Sequence, residues 1–319
     1  MLFLVTFAGH DQVRCETVAQ TVHAILATPD GEADYARTKL ALDKLIDPAT
    51  DTEATLHDID RMVADIRLMV PPNAPDIEKL REVRRYIYVS GPWNGNHPYS
   101  YDLGDPYGHV IRAKLLAHYM ATHRGNCVSM PTLFLILADR VGLHVTLSVA
   151  PNHEFLKYTD TATGQTYNIE ATSLGYPEPD EWYRSRAPMS DKAVANGVYL
   201  KTLNRRETIA VMAEVVLEDE MRHKRYSEAI EIADALLEVY PSQALFLIYK
   251  GGAFEGLIRE RFQRKYPNGD VPAALLPTLV SLRKKADAAF NRAEALGLRT
   301  ADGKVGAAKV ASGRNSQGL

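Results

Sequence analysis

Residues 143–172 constrain the fold of this chain most strongly, because three short segments with strand-like patterns lie close together there. LHVTLSVAP (143–151) alternates in the manner of a strand, and HEFLKYT (153–159) and TYNIEAT (166–172) follow it closely. Connections this short are typical of neighbouring antiparallel strands. We therefore predict a small antiparallel sheet in the middle of the chain.

Helical patterns flank this sheet on both sides. Before residue 90, apolar side chains recur at helical spacing in 16–27, 34–47 and 55–70, and Asp76 is suited to cap a fourth helix. The apolar run VSMPTLFLILADRVG predicts a helix that leads directly into the sheet. The sequence thus predicts an α+β protein, with a helical N-terminal region (1–90), a mixed core (91–204), C-terminal helices (205–298) and a disordered tail (299–319).

Residues 90–109 form a long loop between the N-terminal helices and the rest of the core. The segment is rich in Gly, Pro, Asn, Asp and Tyr, which excludes a helix or a central strand. Long loops of this kind are usually functional or disordered. Aromatic residues such as Trp93 and Tyr101 favour packing over disorder.

The C-terminal helices carry a pattern that is typical of helical repeats. In YSEAIEIADALLEVYP (226–241), Ala229 and Pro241 match a helix-turn-helix repeat of about 34 residues. One period later, large, small and aromatic residues recur at Leu247, Gly251 and Phe254. The matching second helix follows an insertion at 260–275. We predict two tetratricopeptide-type repeats, with a generic pair of helical hairpins as the alternative.

Composition excludes several classes of protein. The net charge of −3 gives no basic field for nucleic acid, and no stretch is long enough to span a bilayer. The N-terminal MLFLVTFAGHDQ lacks the basic flank of a signal peptide. Two cysteines, Cys15 and Cys127, cannot form a disulfide scaffold, which fits a reducing compartment. We expect a soluble, cytoplasmic protein that binds neither nucleic acid nor membranes.

The sequence also lacks the motifs of metal and phosphate sites. His118 and His123 are five residues apart and would not share a helix face, and there is neither an HExxH nor a CxxC motif. No Gly-rich phosphate loop precedes a Lys-Ser or Lys-Thr pair. We expect no metal and no cofactor.

The segment RGNCVSMP (124–131) places Cys127 at the start of the predicted buried helix. A helix N-terminus stabilises a thiolate, and Asn126 is a suitable N-cap. Pro131 would deprive the Cys127 carbonyl of its helical donor, so that carbonyl has another partner or the helix begins near Ser129. Taken alone, such a cysteine is more often a small buried apolar residue.

His153 and Glu170 supply the two other groups that a nucleophilic cysteine requires. His153 begins one predicted strand, and imidazole titrates in the range that suits a general base. Glu170 lies in the next strand, where a carboxylate among apolar residues is costly unless it is paired. If the two strands form a hairpin, Glu170 lies beside His153 and can orient its ring.

The segments RGNCVSMP, LFLILADRVGLHV, APNHEFLKYTD and YNIEATS together resemble the transglutaminase-like superfamily, which shares the papain-type cysteine fold. Within it, the chain looks most like the bacterial SirB-type branch, and the resemblance covers most of the chain. It implies a nucleophile at Cys127, a base at His153 and an orienting acid at Glu170. The superfamily usually has aspartate at the third position, and glutamate is one methylene longer.

The resemblance further implies that an upstream polar or aromatic group completes an oxyanion hole or lines the cleft. The candidates are Asn126, Trp93 and Tyr101. For the two aromatic residues, packing within the loop is the alternative interpretation. Cys15 lies in a helical pattern without a visible partner and is expected to be inert.

Two functions remain open from the sequence. The first is cysteine-dependent acyl transfer on an amide, as in a peptidase, amidase or transglutaminase, with a peptide or protein as substrate. The second is a non-catalytic scaffold that keeps a relic triad and binds a peptide or protein partner through the helical repeats. Water is the default acyl acceptor, which favours hydrolysis over cross-linking.

Overall fold

The computed structural model describes residues 16–29, 31–106 and 108–298. The fold is α+β, as predicted, with helices around a small antiparallel sheet. The helices are α1 (Val18–Leu26), α2 (Tyr35–Ile46), α3 (Thr52–Met69), α4 (Asp76–Tyr88), α5 (Leu116–Thr122), α6 (Ser129–Arg140), α7 (Asp180–Arg186), α8 (Asp191–Ala195), α9 (Arg205–Arg222), α10 (Tyr226–Val239), α11 (Ala244–Ile258) and α12 (Leu276–Ala295). The strands are β1 (Ser100–Tyr101), β2 (Arg124–Gly125), β3 (Val145–Ala150), β4 (His153–Thr159), β5 (Thr166–Glu170) and β6 (Tyr176–Pro177).

The four predicted N-terminal helices are confirmed, and polar side chains explain where three of them begin. Thr17, Asp34 and Asp51 each accept a hydrogen bond from a backbone N–H in the first turn of α1, α2 and α3. The prediction for α4 was wrong by one position. Pro75 is its N-cap, and Asp76 is its first helical residue, where its carboxylate still lies near the positive end of the helix dipole.

The predicted sheet is confirmed and gains a fourth strand, in the order β3-β4-β5-β6, with every pair antiparallel. On its core face, Leu147, Val149 and Leu156 pack into the main hydrophobic core together with α6. On its outer face, Phe155 packs against Tyr183 of α7. Because side chains alternate along a strand, His153 shares the outer face with Phe155, whereas Glu154 shares the core face with Leu156.

The segment before α6 contains structure that the sequence pattern did not reveal. A short 3₁₀ helix (Ile111–Lys114) leads into α5, and β1 pairs in parallel with β2. This pairing sets Tyr101 opposite Gly125, so the aromatic loop lies against the cysteine-bearing segment. Buried Tyr99 stacks on His123 with ring centroids 4.0 Å apart, in keeping with the prediction that the loop is packed.

Residues 205–298 are helical, as predicted. α10 packs against α1, α9 and α11, and α11 packs along α12. The segment between α11 and α12 holds a turn of π-helix (Arg259–Gln263) and a short 3₁₀ helix (Ala273–Leu275) at the predicted insertion. One hydrophobic core runs from α1 through α6 to α12.

Three sequence predictions concern parts of the chain outside the described residues: the inert Cys15, the apolar N-terminal segment and the disordered tail at 299–319. Among the helices that the structure describes, none combines the length and the apolar character that a bilayer crossing requires.

Candidate active site

The helix that follows Cys127 begins at Ser129, which is one of the two arrangements that Pro131 allows. Oδ1 of Asn126 accepts hydrogen bonds from the backbone N–H groups of Val128 (3.0 Å) and Ser129 (3.2 Å). Asn126 therefore caps the start of the helix although Val128 is the formal N-cap residue. Pro131 lies in the first turn, where its missing N–H costs little. Cys127 is left on a turn just outside the helix, half-buried.

Gly125 fixes the chain where it enters this turn. A Cβ atom at this position would lie 2.6 Å from the ring of Tyr119 and 2.7 Å from Oγ of Ser129, which no real side chain tolerates. Glycine is required here for this close approach, and not for flexibility. The Ser129 hydroxyl in turn accepts a hydrogen bond from the Asn126 N–H at 3.1 Å. The position of Cys127 is thus set by packing on both sides.

A tight turn brings His153 to the same place. β3 and β4 are joined by Pro151 and Asn152, and Asn152 adopts a left-handed conformation (φ 57°) that asparagine tolerates well. The carbonyl oxygen of Asn152 lies 3.8 Å from Sγ of Cys127. The residue that follows is His153, so the turn sets thiol and imidazole side by side.

Glu170 forms a hydrogen bond with the imidazole ring of His153. Nε2 of His153 lies 2.7 Å from Oε2 of Glu170, whose side chain is fully buried. Oε1 of Glu170 accepts two hydrogen bonds from Thr172, from its N–H at 2.8 Å and from its hydroxyl at 2.6 Å. Both carboxylate oxygens are therefore engaged. The longer side chain of glutamate reaches the imidazole from the antiparallel neighbour strand.

These contacts shift the charge states of both partners. Burial alone would lower the pKa of His153, but its hydrogen bonds to Cys127 and Glu170, and the charges of both, raise it to about 10. Burial alone would raise the pKa of Glu170, but the hydrogen bond and charge of His153, with the two Thr172 bonds, hold it below its ordinary value. The pair is ionised at neutral pH.

Thr172 and Tyr183 belong to this arrangement, and the sequence prediction missed both. The ring of Tyr183 stacks on Phe155 at a centroid distance of 4.0 Å and lies 6.1 Å from the His153 ring. Burial, followed by the nearby Glu170 charge, raises the pKa of Tyr183. Thr172 could have been predicted from the sequence, because it is a hydrogen-bond donor only two residues after Glu170. Tyr183 lies on α7, and no local sequence pattern indicates that it approaches the site.

The three further candidates differ in their position. Tyr101 lies near the thiol: burial, followed by the charge of Cys127, raises the pKa of Tyr101 to about 12, while its hydroxyl donates to the Pro106 carbonyl at 2.5 Å. Nδ2 of Asn126 is buried without a hydrogen-bond partner among the described residues. Trp93 packs against Arg85 and Gly91, and none of the contacts found within the described ranges joins it to the cysteine.

The arrangement places a thiol, an imidazole and a carboxylate in sequence, with a cationic imidazole beside the sulfur. Nowhere in the described ranges do three His, Cys, Asp or Glu side chains converge in a way that would hold a metal ion. A thiol with an oriented imidazole is equipped for nucleophilic attack on a carbonyl carbon and for the proton transfers that follow.

A family model described as transglutaminase-like superfamily matches residues 53–214, just over half of the chain. The match includes α3 to α6, the whole four-stranded sheet and the first half of α9. No curated protein and no solved structure matches the chain.

Proposed function

The chain belongs to the transglutaminase-like superfamily, and from that premise we propose that it is a cysteine-dependent acyl-transfer enzyme that acts on an amide bond. Cys127 is the nucleophile, His153 is the general base and acid, and Glu170 orients and charges the imidazole. The substrate is a peptide or a protein. The observation that carries the proposal is the buried His153–Glu170 hydrogen bond of 2.7 Å beside the thiol.

In the first half of the reaction, the Cys127 sulfur attacks the carbonyl carbon of the amide and forms a C–S bond. The imidazolium of His153 supplies the positive charge that a thiolate requires beside it. The tetrahedral intermediate then collapses, the C–N bond breaks, and His153 gives its proton to the departing amine. The product of this half is a thioester on Cys127 and a free amine.

In the second half, an acyl acceptor attacks the thioester. Neutral His153 takes a proton from the acceptor, the C–S bond breaks, and the sulfur leaves as the thiolate. Water as acceptor gives a carboxylic acid and makes the protein a hydrolase, whereas an amine gives a new amide. Water is the default acceptor, so we propose hydrolysis of a peptide or isopeptide bond.

The oxyanion of the intermediate requires hydrogen-bond donors near the sulfur. Two groups support this role. The N–H of Cys127 has no acceptor among the described residues, and the adjacent Nδ2 of Asn126 is likewise unpaired. We propose these two donors as the oxyanion hole. Tyr101, whose hydroxyl is engaged with Pro106, lines the cleft instead.

The proposal is tested by measuring the alkylation of Cys127 by iodoacetamide at neutral pH, with mass spectrometry to separate Cys127 from Cys15. Cys127 should react much faster than Cys15, and His153→Ala should slow Cys127 alone. Equal and slow reaction of both thiols, unaffected by the substitution, would contradict catalysis. Turnover of a panel of acyl electrophiles by the wild type and not by Cys127→Ala then identifies the acyl class.

A second function is favoured by the close packing of the C-terminal helices. A Cβ atom on Gly251 of α11 would lie 2.5 Å from the Phe290 ring of α12, so the small and aromatic positions of the predicted repeats face each other. We propose that residues 205–298 form tetratricopeptide-type repeats, as in the SirB-type branch, which bind a protein partner. The cytoplasmic location stays a prediction.

This second function can exist without the first. A pure scaffold requires that full-length Cys127→Ala binds its partner with the affinity of the wild type, and that Cys127 reacts like an ordinary thiol. Fast labelling of Cys127 that depends on His153 would exclude a pure scaffold and leave the helices with the role of delivering substrate.

A further inference from the structure

α2 carries a buried ion pair, Lys39 and Asp43, away from the contacts around Cys127. Both side chains are completely buried, and Nζ of Lys39 lies 2.6 Å from Oδ1 of Asp43, one helical turn further along. Two charges are costly to remove from water, and a buried ion pair adds little stability over an apolar pair of similar volume. The pair therefore calls for an explanation other than stability.

The second carboxylate oxygen of Asp43 binds a distant part of the chain. Oδ2 accepts a hydrogen bond from the backbone N–H of Leu116, the first residue of α5, at 2.7 Å. The residue before α5 is Leu115, whose side chain cannot accept a hydrogen bond, so α5 lacks a local side-chain cap. A helix of only seven residues is marginal without outside support. Asp43 supplies that support from α2.

The cysteine-bearing segment packs directly against α5. Tyr119 of α5 is completely buried, and a Cβ atom on Gly125 would lie 2.6 Å from its ring. The far end of α5 is fixed as well, because the carbonyl of His123 accepts the Ser100 N–H at 2.8 Å. A short segment separates this end from Cys127. A shift of α5 would therefore move Cys127 with it.

α2 lies outside the part of the chain that matches the family, because that match begins at residue 53. It is nevertheless packed into the same body as the site: it lies along α9 and also contacts α5 and α6. Asp43 joins this outer helix to the segment that leads to the cysteine. The N-terminal helices thus belong to the structure that supports the site.

We infer that Asp43 is a positioning residue for Cys127, an inference that rests on the proposed function. Its carboxyl holds the start of α5, α5 holds the segment before the cysteine, and this sets the sulfur beside the His153 ring. Burial raises the pKa of Asp43, whereas the charge and hydrogen bond of Lys39 and the Leu116 N–H lower it. Lys39 keeps the carboxyl in place, and the acceptor for Leu116 is the part that positions the thiol.

The test compares two double variants that both remove the ion pair. Lys39→Met/Asp43→Asn keeps an acceptor for the Leu116 N–H in its amide oxygen, whereas Lys39→Met/Asp43→Leu has none. The rate of alkylation of Cys127 by iodoacetamide is measured as a function of pH. The first variant should keep the wild-type rate and pH profile. The second should react about tenfold more slowly at neutral pH, with its profile displaced to higher pH, because the thiolate moves away from the imidazolium.

The control separates positioning from a general loss of stability. Asp51→Ala removes the cap of α3, a bond of the same kind to the Ala54 N–H at 3.0 Å, on a helix that does not lead to the cysteine. It should leave the rate and the pH profile of Cys127 unchanged. Where the second double variant does not fold, Asp43→Glu takes its place: it keeps the carboxylate but moves it by one methylene, and it should also slow Cys127.

Two results would overturn the positioning role of Asp43. One is a wild-type rate in Lys39→Met/Asp43→Leu, or in Asp43→Glu where that variant replaces it, with the fold intact by circular dichroism. The other is an equal fall in both double variants, which would mean that the ion pair matters and the acceptor for Leu116 does not. Failure of the proposed function gives a different result: wild-type Cys127 would react as slowly as an ordinary thiol, and no variant would change its rate.

Discussion

Two glutamates on the same small sheet, one on each face, reach opposite charge states. Glu170 on the outer face is fully buried, yet the donors and the charge around it, from His153 and Thr172, hold its pKa below the ordinary value. Glu154 on the core face is nearly as buried, but its Oε2 has no hydrogen-bond partner among the described residues, and its pKa is raised. Burial is common to both, so the partners decide the charge.

The two glutamates differ in whether the protein supplies hydrogen-bond donors to their carboxyl oxygens. Around Glu170, both oxygens have donors, and the charge of the imidazolium is balanced within the protein. Around Glu154, Oε2 lacks a donor among the described residues and burial keeps the carboxyl protonated, which costs stability at neutral pH. Substitutions at the two positions should therefore differ in sign as well as in size.

The largest effect is expected for Glu170→Gln. The amide nitrogen of the new side chain would donate to Nε2 of His153, so the ring proton moves to Nδ1 and the ring can no longer serve Cys127 as a cation. Without that cation the thiolate loses the positive charge beside it, so alkylation of Cys127 at pH 7 should fall by about tenfold. Rapid alkylation in this variant, with the fold intact, would show that Glu170 is not needed to keep the His153 ring cationic beside Cys127.

Glu154→Gln should have the opposite sign in a stability measurement. In the unfolded chain the carboxyl ionises above pH ~4.5, whereas folded Glu154 keeps its proton, so the folded state loses stability as pH rises. The variant removes this loss and should raise the free energy of unfolding by ~2 kcal/mol at pH 8, with little change at pH 4. Urea unfolding at both pH values measures this. Destabilisation at pH 8 would contradict the unpaired state of Glu154.

A smaller effect is expected for Thr172→Val, which removes one of the two donors to Oε1 of Glu170. The loss should be ~1 kcal/mol at pH 7. Because the pKa of Glu170 is lowered in the fold, its stabilising contribution is present above its unfolded pKa and disappears as pH falls through the folded value. The difference between variant and wild type should therefore vanish in acid. Thr159→Val, which removes a partner of the exposed Thr159–Thr166 bond on the same sheet, is the matched control.

The smallest effect is expected for an exposed pair outside both sites. Arg184 and Asp191 lie 2.8 Å apart, but the Asp191 side chain is 94% exposed. Asp191→Asn should change the free energy of unfolding by less than ~0.5 kcal/mol, because solvent screens the pair. A loss of stability as large as that of Thr172→Val would mean that the number of charges determines stability, and not their burial and pairing.

The sequence allowed the main elements around the cysteine to be predicted, because their signals are local. The alternation in residues 143–172 indicated the antiparallel strands, and the apolar run ending at Gly142 indicated α6. Pro131 indicated that the helix could begin after Cys127. A strand carboxylate needs a partner, which led to Glu170 beside His153, and these two groups do lie 2.7 Å apart.

The same argument would predict a partner for Glu154, but its Oε2 has none among the described residues, and its surroundings could not be found from the sequence. Glu214, whose charge adds to burial in raising the pKa of Glu154, lies on α9, sixty residues later in the chain. Tyr183 and Lys114 also reach their places through tertiary contacts. α5 was not predicted, because it is only seven residues long and follows a loop rich in turn residues. Long-range pairing leaves no periodic pattern in the chain.

The most direct test of the account is the titration of the His153 ring, followed by NMR of its imidazole nitrogens in protein labelled with ¹⁵N. The account predicts that His153 stays cationic through neutral pH and loses its proton near pH 10, and that Cys127→Ala and Glu170→Gln each move this transition to lower pH. A wild-type transition near pH 6.5 that neither substitution shifts would contradict it, because the His153 ring would then titrate without influence from its two neighbours.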